Sequence, residues 1–398
     1  MVSVGEQYEA YPYPARDPAD ERTRLITGSP SEPLEIDHYL FGGRRDWSRP
    51  FRALVAGGGT GDGLIQLAQR LTDAGAPHEI DYVDLSRASR AIAEARAEVR
   101  GLGSIRFHTG SLLDAADLGR FDYIDCCGVL HHLPDPAAGF RALRAALAPG
   151  GGMGVMVYAP HGRSGVYPLQ AAFGVLFDGL APEERVARVR PILEALPEAH
   201  PFRRNLLLGD HEKTDAELYD LLLHSQDRAF AVPELLAILD ETGWALQSFV
   251  MPGQYDPARF VEVPEGLGAA ERMALAEQLA GTIKTHVAYV AAKGEERPVA
   301  GGGALKLIPH LRVGDRGKIA QAVAAGKRIN VGTGGERIGL SLPRQAAPMI
   351  AAADGQRTLI QLGKAAGLSP RDTTRVWQRL EATLGAWGGF LYSGLRLA

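Results

Sequence analysis

Four glycines fall within five residues of the run Ala53-Leu-Val-Ala-Gly-Gly-Gly-Thr-Gly-Asp62. Glycine lets a backbone turn sharply and come close to a ligand, so Gly57, Gly59 and Gly61, at alternate positions, are candidates for lining a small-molecule site. A plain tight turn is the other reading. The spacing narrows the ligand: a pyrophosphate-binding G-x-G-x-x-G pattern would put a third glycine at Asp62 or Leu64, and it fails in both registers. Asp84 follows at the end of an apolar run, where a carboxylate can accept hydrogen bonds from both hydroxyls of a ribose.

Other residues suit proton transfer or acceptor recognition. His131, His161, His224 and Asp227 are candidate proton acceptors, with His132 beside the first. The pair His131 and His132 has the alternative of being one packed core residue and one solvated one. The opening Gln7-Tyr-Glu-Ala-Tyr-Pro-Tyr-Pro-Ala-Arg16 sets Tyr8, Tyr11 and Tyr13 among prolines, giving a stiff, amphipathic piece that can lie over a pocket mouth or merely tether the chain. Arg163 and Tyr167 fall in the run Tyr158-Ala-Pro-His-Gly-Arg-Ser-Gly-Val-Tyr167. Arg228 belongs to a polar knot at 224–230 that either meets an acceptor or holds neighbouring elements together. Cys126 and Cys127 are the only cysteines; adjacent thiols are poorly placed to bridge, and a zinc site needs more ligands. No metal is therefore expected, and reduced thiols point to the cytoplasm.

The elements that must position these residues alternate. Runs at 52–56, 80–85, 105–109, 123–127 and 153–158 read as strands, separated by helical stretches near 63–74, 88–99 and 137–147. That is the pattern of a doubly wound parallel α/β sheet. Helical segments near 166–180, 182–196 and 215–223 interrupt it as an insertion spanning about 163–228. A helix at 232–241, a strand at 244–250, a helix at 269–279 and a strand at 285–292 complete seven strands. The stretch 294–303 reads as a linker. Beyond it, a strand near 338–342 and helices near 344–353, 359–366 and 371–384 resemble a small winged-helix-like α+β module over 304–398. Residues 1–50 stand before the sheet as a lid or tether, and the sheet with its insertion covers 51–293.

The glycine run, Asp84, the segment Phe121-Asp-Tyr-Ile-Asp-Cys-Cys-Gly-Val-Leu-His-His-Leu-Pro-Asp-Pro136 and Leu147-Ala-Pro-Gly-Gly-Gly-Met-Gly154 together resemble the class I S-adenosylmethionine-dependent methyltransferases along about 51–159. The resemblance implies a seven-stranded Rossmann-like sheet with S-adenosylmethionine (AdoMet) as cofactor. It implies that Gly57, Gly59 and Gly61 line the methionine part of the donor and that Asp84, with Leu85, holds the ribose. Ser111 and Leu112 would meet the adenine, and Cys127 the donor from the fourth strand. Two positions depart from the pattern: Val55 stands where the family often has an acidic residue, and Ser111 where it usually has Asp. The segment Tyr8-x-x-x-Pro12-Tyr13-Pro14 resembles the opening of a bacterial subgroup of these enzymes.

Charge is divided unevenly. Ala304–Ala398 holds fourteen Lys/Arg against five Asp/Glu, leaving twenty-nine against forty-two upstream. Such a tail serves an anionic partner or attracts the acidic body of its own chain. On the helix near 371–384, Arg371, Arg375 and Arg379 are spaced by four and share a face, which we expect to lie against that body. No apolar run is long enough to cross a bilayer, so no membrane partner is expected. A small-molecule or protein acceptor is favoured over nucleic acid. A protein or RNA recruited by the tail, and a non-catalytic AdoMet-binding regulator, are the alternatives.

Overall fold

The computed structural model describes residues 4–333 and 336–397; the remaining residues of the 1–50 and 304–398 segments lie outside the described residues. Seven strands form one sheet: β1 (Phe51–Ala56), β2 (His78–Asp84), β3 (Ile105–Thr109), β4 (Phe121–Cys127), β5 (Leu147–Tyr158), β6 (Trp244–Phe249) and β7 (Thr285–Ala292). Their order is β3-β2-β1-β4-β5-β7-β6, with β7 antiparallel to both neighbours. Chain order reverses between β1 and β4, and the crevice beyond the strand ends there is where open α/β sheets take ligands. The seven-stranded α/β expectation holds. β5 begins earlier than expected, at Leu147, which pairs with Phe121; the Pro-Gly-Gly-Gly run belongs to the strand rather than to a turn.

Helices α1 (Val4–Ala10) and α2 (Pro33–Leu40) precede β1, and α3 (Asp62–Asp73), α4 (Arg87–Arg100) and α5 (Pro136–Ala145) are the crossovers. α3 buries Leu64, Leu67, Ala68 and Leu71, the i, i+3, i+4, i+7 stripe of an amphipathic helix. Ser86 caps α4 by accepting from the Ser89 N–H, and Gly101 ends it in the left-handed conformation. The insertion comprises α6 (Val166–Leu176), α7 (Pro182–Ala195), α8 (Pro201–Arg204) and α9 (Asp215–Leu222), with a core of its own that includes Val166, Phe173, Leu218 and Leu222. α10 (Val232–Glu241) and α11 (Ala269–Ala280) flank β6.

The C-terminal module contains β8 (Pro309–Leu311), α12 (Arg316–Ala324), the hairpin β9 (Ile329–Thr333) and β10 (Glu336–Leu340), α13 (Ala347–Ala352), α14 (Leu359–Ala365), α15 (Pro370–Leu384) and β11 (Phe390–Tyr392). β8 pairs antiparallel with β11, tying the start of the module to its end. The stretch 294–303 is docked rather than free: Ala300 donates to the His38 carbonyl, and Gly302 packs against Trp377.

The expectation for the three arginines of α15 is corrected. Val376, Trp377, Leu380 and Leu384 form its buried stripe, so the opposite face, carrying Arg371, Arg375 and Arg379, is exposed; Arg375 pairs with Asp372 of the same helix at 2.7 Å. The tail meets the acidic body elsewhere, through Arg312 with Glu35 and Glu336 with Arg259. Reversing all three arginines to Glu is therefore expected to leave the melting curve nearly unchanged, since exposed charges contribute about 0–1 kcal/mol each. A loss of several degrees would place an anion of the chain opposite them after all.

Candidate active site

A cavity of 480 Å³ opens beyond the strand ends at the β1–β4 reversal, within the roughly 300–1,000 Å³ typical of small-molecule sites. The loop after β1 forms part of it. Gly57 and Gly59 have φ of 71° and 50°, in the left-handed region that favours glycine. A Cβ on Gly57 would stand 2.5 Å from Val129 Cγ2, and one on Gly59 2.7 Å from the Tyr13 carbonyl oxygen. The carboxylate of Asp84 fastens this loop: Oδ2 accepts from the Gly59 N–H and Oδ1 from the Ser86 N–H, both at 2.8 Å. Burial pushes the Asp84 carboxyl above its ordinary range, and these N–H groups pull it back. A carboxylate offers about four lone-pair sites, so acceptor capacity is left for ligand hydroxyls.

Leu85, Ser111, Leu112 and Cys127 also line the cavity. The Ser111 hydroxyl oxygen accepts from the Leu113 N–H at 3.1 Å, capping a helical turn. Cys127 is open to the cavity, and burial pushes its thiol upward, which disfavours a thiolate. A cradle of left-handed glycines, a free-sided carboxylate at the end of β2 and an apolar wall after β3 fit the adenosine and the slender amino-acid chain of AdoMet.

Gly61 is corrected. It does not line the cavity; its missing Cβ would meet Ala93, so the glycine lets α3 and α4 approach closely.

The N-terminal segment lies over the glycine loop and is pinned at several points. The Tyr13 carbonyl accepts from the Thr60 N–H at 3.3 Å, and the Pro14 carbonyl from the Thr60 hydroxyl at 2.7 Å. Arg16 does not reach the cavity but pairs with Asp62 at 2.6 Å, and Asp62 is also held by Arg96 at 2.8 Å. Burial pulls Asp62 upward, yet the two guanidiniums hold it below the usual carboxylate range. Glu21 grips Arg96 at 2.6 Å and also pairs with Arg100. Tyr8 and Tyr13 line the cavity; Tyr11 instead stacks on Tyr219, ring centres 5.4 Å apart.

The insertion brings a polar cluster around Asp220, a residue that sequence reasoning missed. Asp220 accepts from the Tyr8 hydroxyl at 3.2 Å and from the Tyr158 hydroxyl at 3.0 Å. His224 Nε2 lies 3.1 Å from the Tyr8 hydroxyl, and its ring stacks on His132 at 3.7 Å. Of the histidines it is His132 that lines the cavity, together with Tyr158, Asp220, Glu217, Arg163 and Lys284. Burial pushes Asp220 up and His224 down, which favours the uncharged form of each. Two sets of residues bring possible metal-ligand atoms within 4.8 Å, His131 with His132 and Asp227, and His132 with Asp220 and His224. In the second set Asp220 and His224 already engage the two tyrosines.

The other expected residues stand away from the cavity. His131 packs under Tyr158 with ring centres 3.9 Å apart, and neither ring nitrogen has a protein partner among the described residues. His161 is exposed. Asp227 is buried and holds Arg163 at 3.1 Å, while the Tyr167 hydroxyl accepts from Arg163 Nε at 3.0 Å; both position a guanidinium that lies 3.6 Å over the Tyr158 ring. Arg228 is at the surface, paired with Glu234 at 3.3 Å. No spacing in the sequence announces His132 with Asp220, because the two are nearly ninety residues apart and meet only through the insertion.

The sheet order has the form of a class I methyltransferase domain, and the cavity fits AdoMet as cofactor. Residues 54–153 match the family model described as a methyltransferase domain. An uncharacterized protein of Synechococcus sp. is 32% identical over 272 residues, covering 65% of this chain and 62% of that protein. The chain thus spans less than two thirds of that relative's length. The ubiquinone biosynthesis O-methyltransferase of Ralstonia nicotianae is 31% identical over 113 residues, 27% of this chain and 46% of the relative. Among solved structures, PKMT2 from Rickettsia typhi in complex with AdoHcy superposes with a TM-score of 0.64 at 15% identity, covering 93% of this chain and 76% of that one, a likeness of fold. No helix among the described residues is long and apolar enough to cross a membrane.

Proposed function

We propose that this chain is a cytoplasmic AdoMet-dependent methyltransferase acting by in-line displacement on a small-molecule acceptor held between the N-terminal segment and the insertion. The observation that carries this reading is one cavity lined by the glycine loop and Asp84 and also by Tyr8, Tyr13, His132, Tyr158 and Asp220. Bound AdoMet supplies an electrophilic methyl on a sulfonium. The chain's part is to align a nucleophile with that methyl and to exclude water. Gly57 and Gly59 admit the donor close to the backbone, Asp84 takes the ribose hydroxyls, and Leu85 and Leu112 flank the base. Tyr8 and Tyr158, fixed by Asp220, wall off solvent together with Tyr13. His132 accepts the proton of an acceptor that must lose one, replacing His131 and His161 in that role.

AdoMet or its demethylated product copurifying with the protein, followed by transfer of labelled methyl in a lysate of the parent organism, tests the reading. Failure of the pure protein to bind AdoMet in calorimetry would sink it. Once an acceptor is known, His132→Ala is expected to lower kcat by roughly 10²–10⁴-fold with donor affinity unchanged. Unaltered turnover would remove His132 from proton transfer. The exposed Arg371, Arg375 and Arg379 favour a second reading, a protein or RNA acceptor recruited by the C-terminal module. A gel shift with its salt dependence, abolished by the triple reversal, would support that reading for RNA.

A further inference from the structure

Val55 leaves the sheet without the acidic side chain that its position before the glycine loop often carries, but the next strand supplies one. Val55 of β1 is the direct register partner of Asp125 of β4. The carboxylate therefore stands at the same level of the sheet, one strand across. Asp125 lines the cavity along with Ser31, Gly63 and Cys127, and it is only 2% exposed.

Its surroundings leave it short of charge. Its hydrogen-bond partner is the Ser31 hydroxyl at 2.5 Å, and among the described residues it makes no ion pair with Lys, Arg or His. The other cavity groups are engaged. Asp62 has two guanidiniums, Asp84 holds the glycine loop, and Asp220 has two tyrosine hydroxyls. Arg163 is paired with Asp227, and Lys284 Nζ donates to the Leu207 carbonyl at 2.8 Å. Asp84, Asp220 and Glu217 also lack an ion pair, but the first two each accept two hydrogen bonds and Glu217 comes from the insertion rather than from the strand ends. Burying a carboxylate without a cation is costly, and burial accordingly pushes Asp125 up to about 7. A ligand that brings its own positive charge to the strand ends at the β1–β4 reversal would relieve that cost.

We propose that Asp125 is the counter-ion for the α-ammonium of the donor's methionine moiety, doing from β4 what Val55 cannot do from β1. The proposal rests on the AdoMet reading above and goes beyond it by assigning the ammonium to one side chain. It predicts a selective loss. Asn at this position keeps the shape and can still accept from Ser31, so the ligand-free melting temperature should stay level or rise.

The test is calorimetric titration of wild type and Asp125→Asn with AdoMet and with 5′-methylthioadenosine, which carries the adenosine and thioether but no amino acid. The variant should bind AdoMet roughly ten- to hundred-fold more weakly, the range of a lost hydrogen bond to a charged group, and 5′-methylthioadenosine as wild type does. Equal weakening for both ligands, or none for either, overturns the assignment while leaving the donor reading intact. Wild-type protein that binds neither ligand takes down both. Should the amide disturb folding, Asp125→Ser removes the same charge and must show the same selectivity.

Discussion

Replacing Glu21 with Ala is expected to destabilise the protein by about 3 kcal/mol, near the lower end of what breaking a buried ion pair costs. Glu21 is 5% exposed and lies between two guanidiniums: Arg96, itself 1% exposed, and Arg100. Removing the carboxylate strands the greater part of two positive charges inside the fold. The loss stays below the maximum because Arg96 keeps Asp62 at 2.8 Å and the Thr60 carbonyl at 2.8 Å. Denaturant titration measures the change, and limited proteolysis should show the chain before α2 becoming cleavable first. An unchanged midpoint would mean that the pair contributes nothing net.

Asp84→Ala is expected to weaken AdoMet binding by about 2–4 kcal/mol, roughly 30- to 1,000-fold, since ribose hydroxyls lose a charged acceptor. The variant should lose more than those contacts. Asp84 also holds the Gly59 N–H, so the loop that must stay open for the donor loses its fastening. Asp84→Asn separates the two effects: its amide oxygen can still accept from one N–H, and part of the affinity should return. Donor affinity equal to wild type in the alanine variant would refute the ribose assignment.

Much of the sheet was legible because its strands are short apolar runs between helices with ordinary caps. The span 105–109 is found as β3, and 285–292 as β7. α2 was not legible. All eight of its residues are buried, including Glu35, Asp37 and His38, so it lacks the polar face by which a surface helix announces itself. Its charges are satisfied by groups outside the helix, one of them far along the chain: Asp37 accepts from Trp47 Nε1 at 3.0 Å and from the Ser393 hydroxyl at 2.6 Å. The donor half of the site follows successive strand ends in chain order, from Gly57 to Cys127, and could be read in that order. The acceptor half is assembled from the N-terminal segment, the turn after β4 and α9, so its members share no spacing. Asp125 was in view within Phe121–Cys127, but a carboxylate inside a strand has no meaning until the register places it opposite Val55.

The reach of α2 across the chain has a consequence for how the protein is made. Leu391 and Leu395 belong to the same core as Leu34, Ile36 and Tyr39, and Asp37 waits for a hydroxyl 356 residues downstream. At synthesis speeds of about 5–20 residues per second, that partner follows roughly 20–70 s later. During this interval the nascent sheet has its glycine loop and Asp84 but an unfinished flank, with apolar side chains and a buried-to-be carboxylate open to water. Completion of the early half is thus coupled to the arrival of residues 391–395, so a chain truncated before them would leave the flank of α2 exposed.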